Sequence, residues 1–385
     1  MKSNYDILGS HIRLIDNRNK ESITDRVLGI NIDKYFMPSV ANVIGTDLSK
    51  YKLISKGKFA CNPMHVGRDE RLPVALYDED TPALISPAYF MFEVVDNSIL
   101  NEDYLMMWFS RPEFDRICWL KTDGSVRGGI SWDDICRLEL PVPPIEEQLE
   151  IVNSYKAITE RIDLKQKIND NLEATARALY KSYFIDLDPF DGKQPINWKE
   201  VTIDDIASDV ICGKTPPTAD PKNYGTYMPF ITIPDMHGNV YSTSTERFLS
   251  EKGVTTQSNK TLPANSICVS CIASVGLVCL TAEPSQTNQQ INSIVCKSGV
   301  SPYYVYIKMT TLTDYLKQIG AGGSTTLNVN KTLFGQIPIL CPDKDSMYVF
   351  HERVVPLFDE IRANQYEMQQ MVVLKDLILT RLSSR

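Results

Sequence analysis

Residues 140–152 read LPVPPIEEQLEIV, and residues 337–350 read IPILCPDKDSMYVF. In both, a short apolar strand meets proline and opens onto a long stretch of helical periodicity. A unit written twice decides how the rest of the chain is read, because a missed repeat misassigns the whole fold. Ser125 and Ser324 are 199 residues apart, and at that offset Ile130 meets Val329, Ile135 meets Phe334, Leu138 meets Ile337 and Pro143 meets Pro342 without a gap.

The register continues down the helices. Steps of four and three pick out Ile151, Tyr155, Ile158, Ile162, Lys165, Asn169, Leu172, Ala176, Leu179 and Tyr183 in the first copy. In the second they pick out Phe350, Val354, Leu357, Ile361, Asn364, Met368, Met371, Lys375, Ile378 and Leu382. Apolar residues at this spacing make a coiled-coil seam. Such seams either pack each on its own globule or on each other, and the matched register favours mutual packing. The first helix is expected over residues 145–183, after Pro143 and Pro144, with Glu146 and Glu147 complementing the dipole of the first turn. The second starts near Asp343, and Pro356 marks a place for a kink.

Each helix follows a block of short strands, turns and a few helices. GKFACNPM, LPVALY and AYFMFEVV read as strands in the first block; MPFITIPDM, NSICVSCIASVGLVCL and QINSIVCK do so in the second. Two amphipathic helices also match, with Tyr104 over Tyr303 at the common offset. The expected fold is α+β: two similar α/β domains, residues 1–144 and 186–342, alternating with long helices over 145–185 and 343–385 that pack on each other as a coiled coil.

Bulk properties bound the function. A chain of 385 residues accommodates two globular units. It has no apolar run of the length that spans a bilayer and no secretory or transit signature, so a cytoplasmic location is expected. Nine scattered cysteines fit reduced thiols rather than a disulfide framework. Cys268 and Cys271 form a CxxC, but at strand period they face opposite ways and lack a second ligand pair, so no metal is expected. A net charge of −8 argues against a free-standing nucleic-acid binder unless one face is locally basic or a partner supplies cations.

Catalytic motifs fail one by one. GKT at residues 213–215 resembles the end of a phosphate-binding loop, but the upstream glycine is replaced by Ser208 and the following helix by Pro216 and Pro217. SPAY at residues 86–89 is an incomplete amino-methyltransferase motif, with no glycine-rich cofactor loop. His11, His65, His237 and His351 form no ligand or triad pattern. No catalytic residue is assigned, and a binding and scaffolding role fits the chain better than an enzymatic one.

The blocks GKTPPTADPKNYGTYMPFITIPDM and GSVRGGISWDDICRLELPVPPIEEQLEIV, in this order and with the repeat, resemble the specificity (S) subunit of type I restriction-modification systems over essentially the whole chain. Two departures stand out: LCPDKDSM replaces the Pro-Pro and Glu-Gln pattern in the second copy, and the first domain begins YDILGSHIRLIDNRN without the Gly-Thr-Pro loop. The resemblance implies two target-recognition domains that each read half of a bipartite double-stranded DNA target, and long helices paired as an antiparallel coiled coil that sets their spacing. It also implies two methyltransferase (M) subunits using S-adenosylmethionine, and restriction-translocase (R) subunits using ATP and magnesium, with none of these cofactors on this chain. The alternatives are a specificity subunit for a type IIB or IIG-like system whose partner fuses methylation and cleavage, a self-sufficient modification enzyme, and a coiled-coil adaptor with no DNA role.

Base edges are best read by Arg and Lys on guanine and by Asn and Gln on adenine, with Ser and Thr adaptable. Candidate DNA contacts are therefore Arg68, Arg71, Lys121, Ser125 and Arg127 in the first domain. In the second they are Lys214, Thr215, Asn288, Gln289, Gln290, Ser324, Thr325, Thr326, Asn328 and Lys331.

Overall fold

The computed structural model describes residues 5–41, 43–64, 66–122, 128–321 and 327–382. It divides into two compact units, Met1–Glu160 with Val373–Arg385, and Arg161–Val372. Each unit thus owns part of both long helices.

Four antiparallel strands form the first unit's central sheet, in the order Ile12–Leu14, Phe90–Val94, Lys58–Cys61, Val74–Tyr77. Alternation divides them between two cores: Phe59 and Cys61 enter one hydrophobic cluster and Ala60 another. The second unit repeats this order and sense with Ala207–Cys212, Ile291–Cys296, Ile267–Ser270 and Val278–Thr281, and adds Tyr241–Ser242 in parallel. It also carries a three-stranded sheet of Arg247–Leu249, Tyr224–Ile231 and Gln286–Thr287.

A strand leading into each long helix closes its unit. Glu139–Pro141 pairs with Tyr5–Ile7, and Pro338–Cys341 with Lys199–Thr202. Immediately beside these pairs, Leu8 N–H donates to the Leu138 carbonyl at 2.7 Å, and Ile203 N–H to the Ile337 carbonyl at 3.1 Å.

The equivalence of Tyr104 with Tyr303 is corrected. The Tyr104 hydroxyl donates to the Pro141 carbonyl, and Tyr304, not Tyr303, does the same to Leu340. The helices that carry them, Glu102–Phe109 and Pro302–Thr310, are capped by Asn101 and Ser301, also one step longer than the common offset. The second copy is therefore one residue shorter between these helices and the next pair, and the ungapped register returns at Ser131 and Asn330, which cap Trp132–Cys136 and Lys331–Gly335.

The first long helix spans Ile145–Lys181, 37 residues and about 56 Å at 1.5 Å per residue. It ends in a wider turn, Ser182–Asp186, stopped by Leu187 at φ 61°. Gln148 explains why the sequence begins this helix with EEQ. Its fully buried amide accepts from Asn101 N–H at 2.9 Å and donates to the Ile99 and Pro143 carbonyls at 2.8 Å each, clamping the helix start to a neighbouring helix cap. In the second copy Met347 stands at this step and is buried as packing. The polar work passes to other side chains: Asp343 caps Lys344–Arg381 through Ser346 N–H at 2.9 Å and accepts from Trp198 Nε1 at 2.7 Å, and His351 pairs with Ser301 Oγ at 2.9 Å. The helix runs on through Pro356.

In the second unit Ala176, Tyr180, Tyr183 and Phe184 share a core with Phe350, Val354, Phe358 and Ile361, while Leu172, Leu179 and Leu357 pack at its margin. In the first unit Val152 is buried with Leu379 and Leu382, flanked by Ile151, Tyr155 and Ile378. Rising numbers on one helix meet falling numbers on the other, so the helices run antiparallel. Ile158, Ile162 and Met371 are half-buried. Each fully buried aromatic of Phe350's kind contributes roughly 1.5–3 kcal/mol by removal from water.

Candidate nucleic-acid interface

The glycine of the GKT motif has a packing role. Gly213 N–H donates to the Ile291 carbonyl at 3.1 Å and Lys214 N–H to the Thr287 carbonyl at 2.9 Å. A Cβ at Gly213 would stand 2.1 Å from the Asn288 carbonyl oxygen, so only glycine permits this approach. Two loops distant in sequence are thereby locked together at the end of the sheet.

A third joins them. After Ile267–Ser270, Cys271 N–H donates to the Gln290 carbonyl at 2.8 Å, Val329 N–H donates to the Cys271 carbonyl at 2.9 Å, and Ala273 N–H to Leu327 at 3.2 Å. Lys214, Thr215, Asn288, Gln289, Gln290 and Asn328 thus belong to one edge of the second unit, with Lys331 one turn further on the helix that follows. Ser324, Thr325 and Thr326 lie outside the described residues.

The side chains differ in what they have left to offer. Asn288 and Gln290 bond each other, Nδ2 to Oε1 at 3.1 Å, and Asn288 Oδ1 also accepts from Gln290 N–H at 3.0 Å. Gln289 is exposed, and its Oε1 accepts from Thr215 Oγ1 at 2.6 Å. Lys214 and Lys331 are exposed and form no ion pair among the described residues.

The first unit builds the same edge from different residues. Ile130 N–H donates to the Pro63 carbonyl at 3.1 Å, the counterpart of Val329 on Cys271, and Gly67 N–H reaches the Gly128 carbonyl at 3.0 Å. The loop bearing Arg68 and Arg71 is therefore brought beside the segment that follows residues 123–127. Ser125 and Arg127 lie outside the described residues, and Lys121 is exposed just before them. Arg68 is held by Asp69 at 2.6 Å and Arg71 by Asp33 at 2.9 Å, so both guanidinium groups already have carboxylate partners.

Topology exposes residues that the pattern of residue types missed. Ile15 N–H donates to the Met91 carbonyl at 2.8 Å, as Gly213 does to Ile291. Asp16 and Asn17 therefore stand where Lys214 and Thr215 stand, with Arg18 next, and residues 88–90 stand where 288–290 do. SPAY is a turn there, with Tyr89 N–H on the Ser86 carbonyl at 3.1 Å. The usable signal was the position directly after the first sheet strand, which becomes visible only when strand ends rather than residue letters are aligned.

Other chemistry takes structural places. Cys268 lies in one core cluster and Cys271 in another, on opposite faces of the sheet, and Cys268 pairs across strands with Cys279. Burial pushes the Cys271 thiol up to about 12. His11 bonds Asp6 at 2.9 Å. His65 lies outside the described residues. Among the described residues no group of three or more His, Cys, Asp or Glu side chains assembles for a metal, and no helix is long and apolar enough to cross a membrane.

Two copies of one sheet order, each with a polar loop edge, together with an antiparallel pair of long helices, define an internally repeated two-domain protein. Residues 195–347 match the model of the type I restriction modification DNA specificity domain. The chain is 31% identical to the type I restriction enzyme HindI specificity subunit of Haemophilus influenzae, over 91% of each chain. It is 30% identical to the MjaIX specificity subunit of Methanocaldococcus jannaschii over 47% of this chain and 42% of that one. A crystal structure of the type I restriction-modification S subunit from M. genitalium shares the fold, with a TM-score of 0.61 and 16% identity, covering 99% of this chain and 96% of that one. The chain belongs to the specificity subunits of type I restriction-modification systems.

Proposed function

We propose that this chain is the non-catalytic DNA-reading subunit of a type I complex, in which each unit reads one half of a bipartite target. The helix pair sets the spacing and docks two methyltransferase subunits. Those partners carry S-adenosylmethionine, and restriction-translocase subunits carry ATP and magnesium; this chain holds none of them. The observation that carries the reading is the repeated edge: the same strand order, with the bond of Ile130 to Pro63 matched by that of Val329 to Cys271, presents loops at equivalent places in both units. Two similar readers in one chain suit two half-sites separated by a gap. An acidic chain of net charge −8 fits this role when partner subunits supply much of the phosphate contact.

The test is sequencing of methylated adenines in a host carrying this chain with its methyltransferase subunit, beside a host lacking only this chain. A two-part motif that disappears with the chain is expected. An unchanged methylation pattern, with both proteins expressed and the methyltransferase active, would remove the reading.

A further inference from the structure

The edge of the second unit contains three neighbouring amides, and the structure separates them. Asn288 and Gln290 satisfy one another, and their side chains shape the loop. Gln289 is the exposed member. Its Oε1 is drawn back by the Thr215 hydroxyl at 2.6 Å, and among the described residues its Nε2 has no protein partner.

Both ends of that bond sit on a firm base. Thr215 follows Gly213 and Lys214, whose backbones are fixed against residues 287–291. The Lys214 carbonyl accepts from Gln257 Nε2 at 2.7 Å, and that same amide nitrogen reaches Gln286 Oε1 at 2.8 Å, so a buried amide network supports the loop from beneath. A free glutamine presents either end of its amide. One whose oxygen is held by a hydroxyl presents donors.

We infer that Gln289 reads one base of the second unit's half-site through Nε2, and that Thr215 is the positioning residue that fixes the amide in its donor orientation. The base edge it suits presents acceptors in the major groove, best guanine, whose N7 and O6 are adjacent where thymine offers O4 alone; adenine offers a donor beside N7 and would need the oxygen that Thr215 occupies. Lys214, exposed beside it, takes a backbone phosphate and adds affinity without base choice. This inference rests on the unit being a DNA reader, as proposed above.

The experiment is methylated-adenine sequencing in cells carrying the chain with its methyltransferase subunits, comparing wild type, Gln289→Met, Thr215→Val and Thr215→Ser. Gln289→Met keeps the length and removes the hydrogen bonds at an exposed position, so folding is unaffected. Discrimination at one position of one half-site is expected to fall roughly tenfold, with the other half-site unchanged. Thr215→Val should loosen the same position and Thr215→Ser should restore it, a pattern that a merely structural threonine would not give. An unchanged motif in Gln289→Met, or an even fall in methylation with every position still required, overturns the inference. If instead the wild type itself gives no motif that depends on this chain, it is the DNA-reading role that fails.

Discussion

Lys165 Nζ donates to Asn364 Oδ1 at 2.6 Å, and these two residues are each other's repeat counterparts, 199 positions apart. In an antiparallel pair of repeated helices, a residue meets its own counterpart only near the local two-fold of the pair. Asn364 Nδ2 continues to Asn169 Oδ1 at 2.9 Å, and Glu367 takes Lys165 at 2.9 Å. The apolar seam is thus interrupted where a shift by one turn would strand a buried amide, which is how a polar seam residue specifies register.

Replacing Asn364 by alanine leaves Asn169 Oδ1 without its donor and removes one acceptor of Lys165. A loss of about 1–3 kcal/mol is expected for the buried polar groups left unpaired. Chemical denaturation should show it as a lower midpoint with an unchanged slope. Changing Asn169 and Asn364 together to leucine should restore much of the stability while loosening register, and cysteine crosslinking across the helices would reveal the alternative pairing.

Gln148→Met installs the residue of the second copy at the start of the first long helix. Three buried bonds disappear with it, to Asn101, Ile99 and Pro143. The expected loss is roughly 2–4 kcal/mol, from a donor and two carbonyls left inside the protein. Met347→Leu, by contrast, exchanges one packed side chain for another and should cost under about 1.5 kcal/mol. Thermal unfolding of the two variants side by side checks the asymmetry.

Gly213→Ala forces a Cβ to within 2.1 Å of the Asn288 oxygen, so the two loops must part. Methylation directed by this unit's half-site should fall at least tenfold, the scale of a misplaced reading edge. Hydrogen exchange should speed up at Lys214, whose amide bonds Thr287, while amides of the Ile267–Ser270 strand keep their protection.

Acid should loosen the start of the second long helix. Burial by itself would raise the Asp343 carboxyl, but hydrogen bonds from Ser346, Trp198 and Asp345 outweigh it and hold the group below its usual range. A lowered folded value means the stabilisation is complete above the unfolded value of about 4 and is lost as pH falls through the folded one. Asp343→Asn should therefore flatten the acid limb of a stability profile below about pH 4, and the indole of Trp198, which donates to Asp343, should report the change in fluorescence.

Cys118 and Cys271 are both pushed up to about 12, chiefly by burial, and Cys268 and Cys279 are fully buried opposite each other. An alkylating reagent at pH 8 should label none of these four in the folded protein, and all four once denaturant is present, as read by peptide mass spectrometry.

Much of this molecule was legible in the letters. Strand periodicity, the proline stops and the four-three seam are local consequences of side-chain spacing, and the ungapped offset carried them from one copy to the other. Even the polar interruption at Lys165, Asn169 and Asn364 showed as hydrophilic residues in an apolar register, though what they bond did not. Where the register shifted by one, at Tyr304, letter alignment chose the neighbouring tyrosine, because two adjacent tyrosines read alike until a hydroxyl finds its carbonyl.

The loop edges were legible only as composition. Asn288, Gln289 and Gln290 are three similar amides in sequence; folding makes two of them each other's partners and leaves the third exposed, held by the Thr215 hydroxyl from a loop distant in sequence. Asp16 and Asn17 carried no signal, since their equivalence to Lys214 and Thr215 is one of strand ends in three dimensions. The sequence by itself determined the repeat, the helices and the seam along which they pack, all set by periodic burial along the chain. The tertiary structure decided which polar side chains remain free to bind, because that depends on hydrogen-bond partners brought from distant segments.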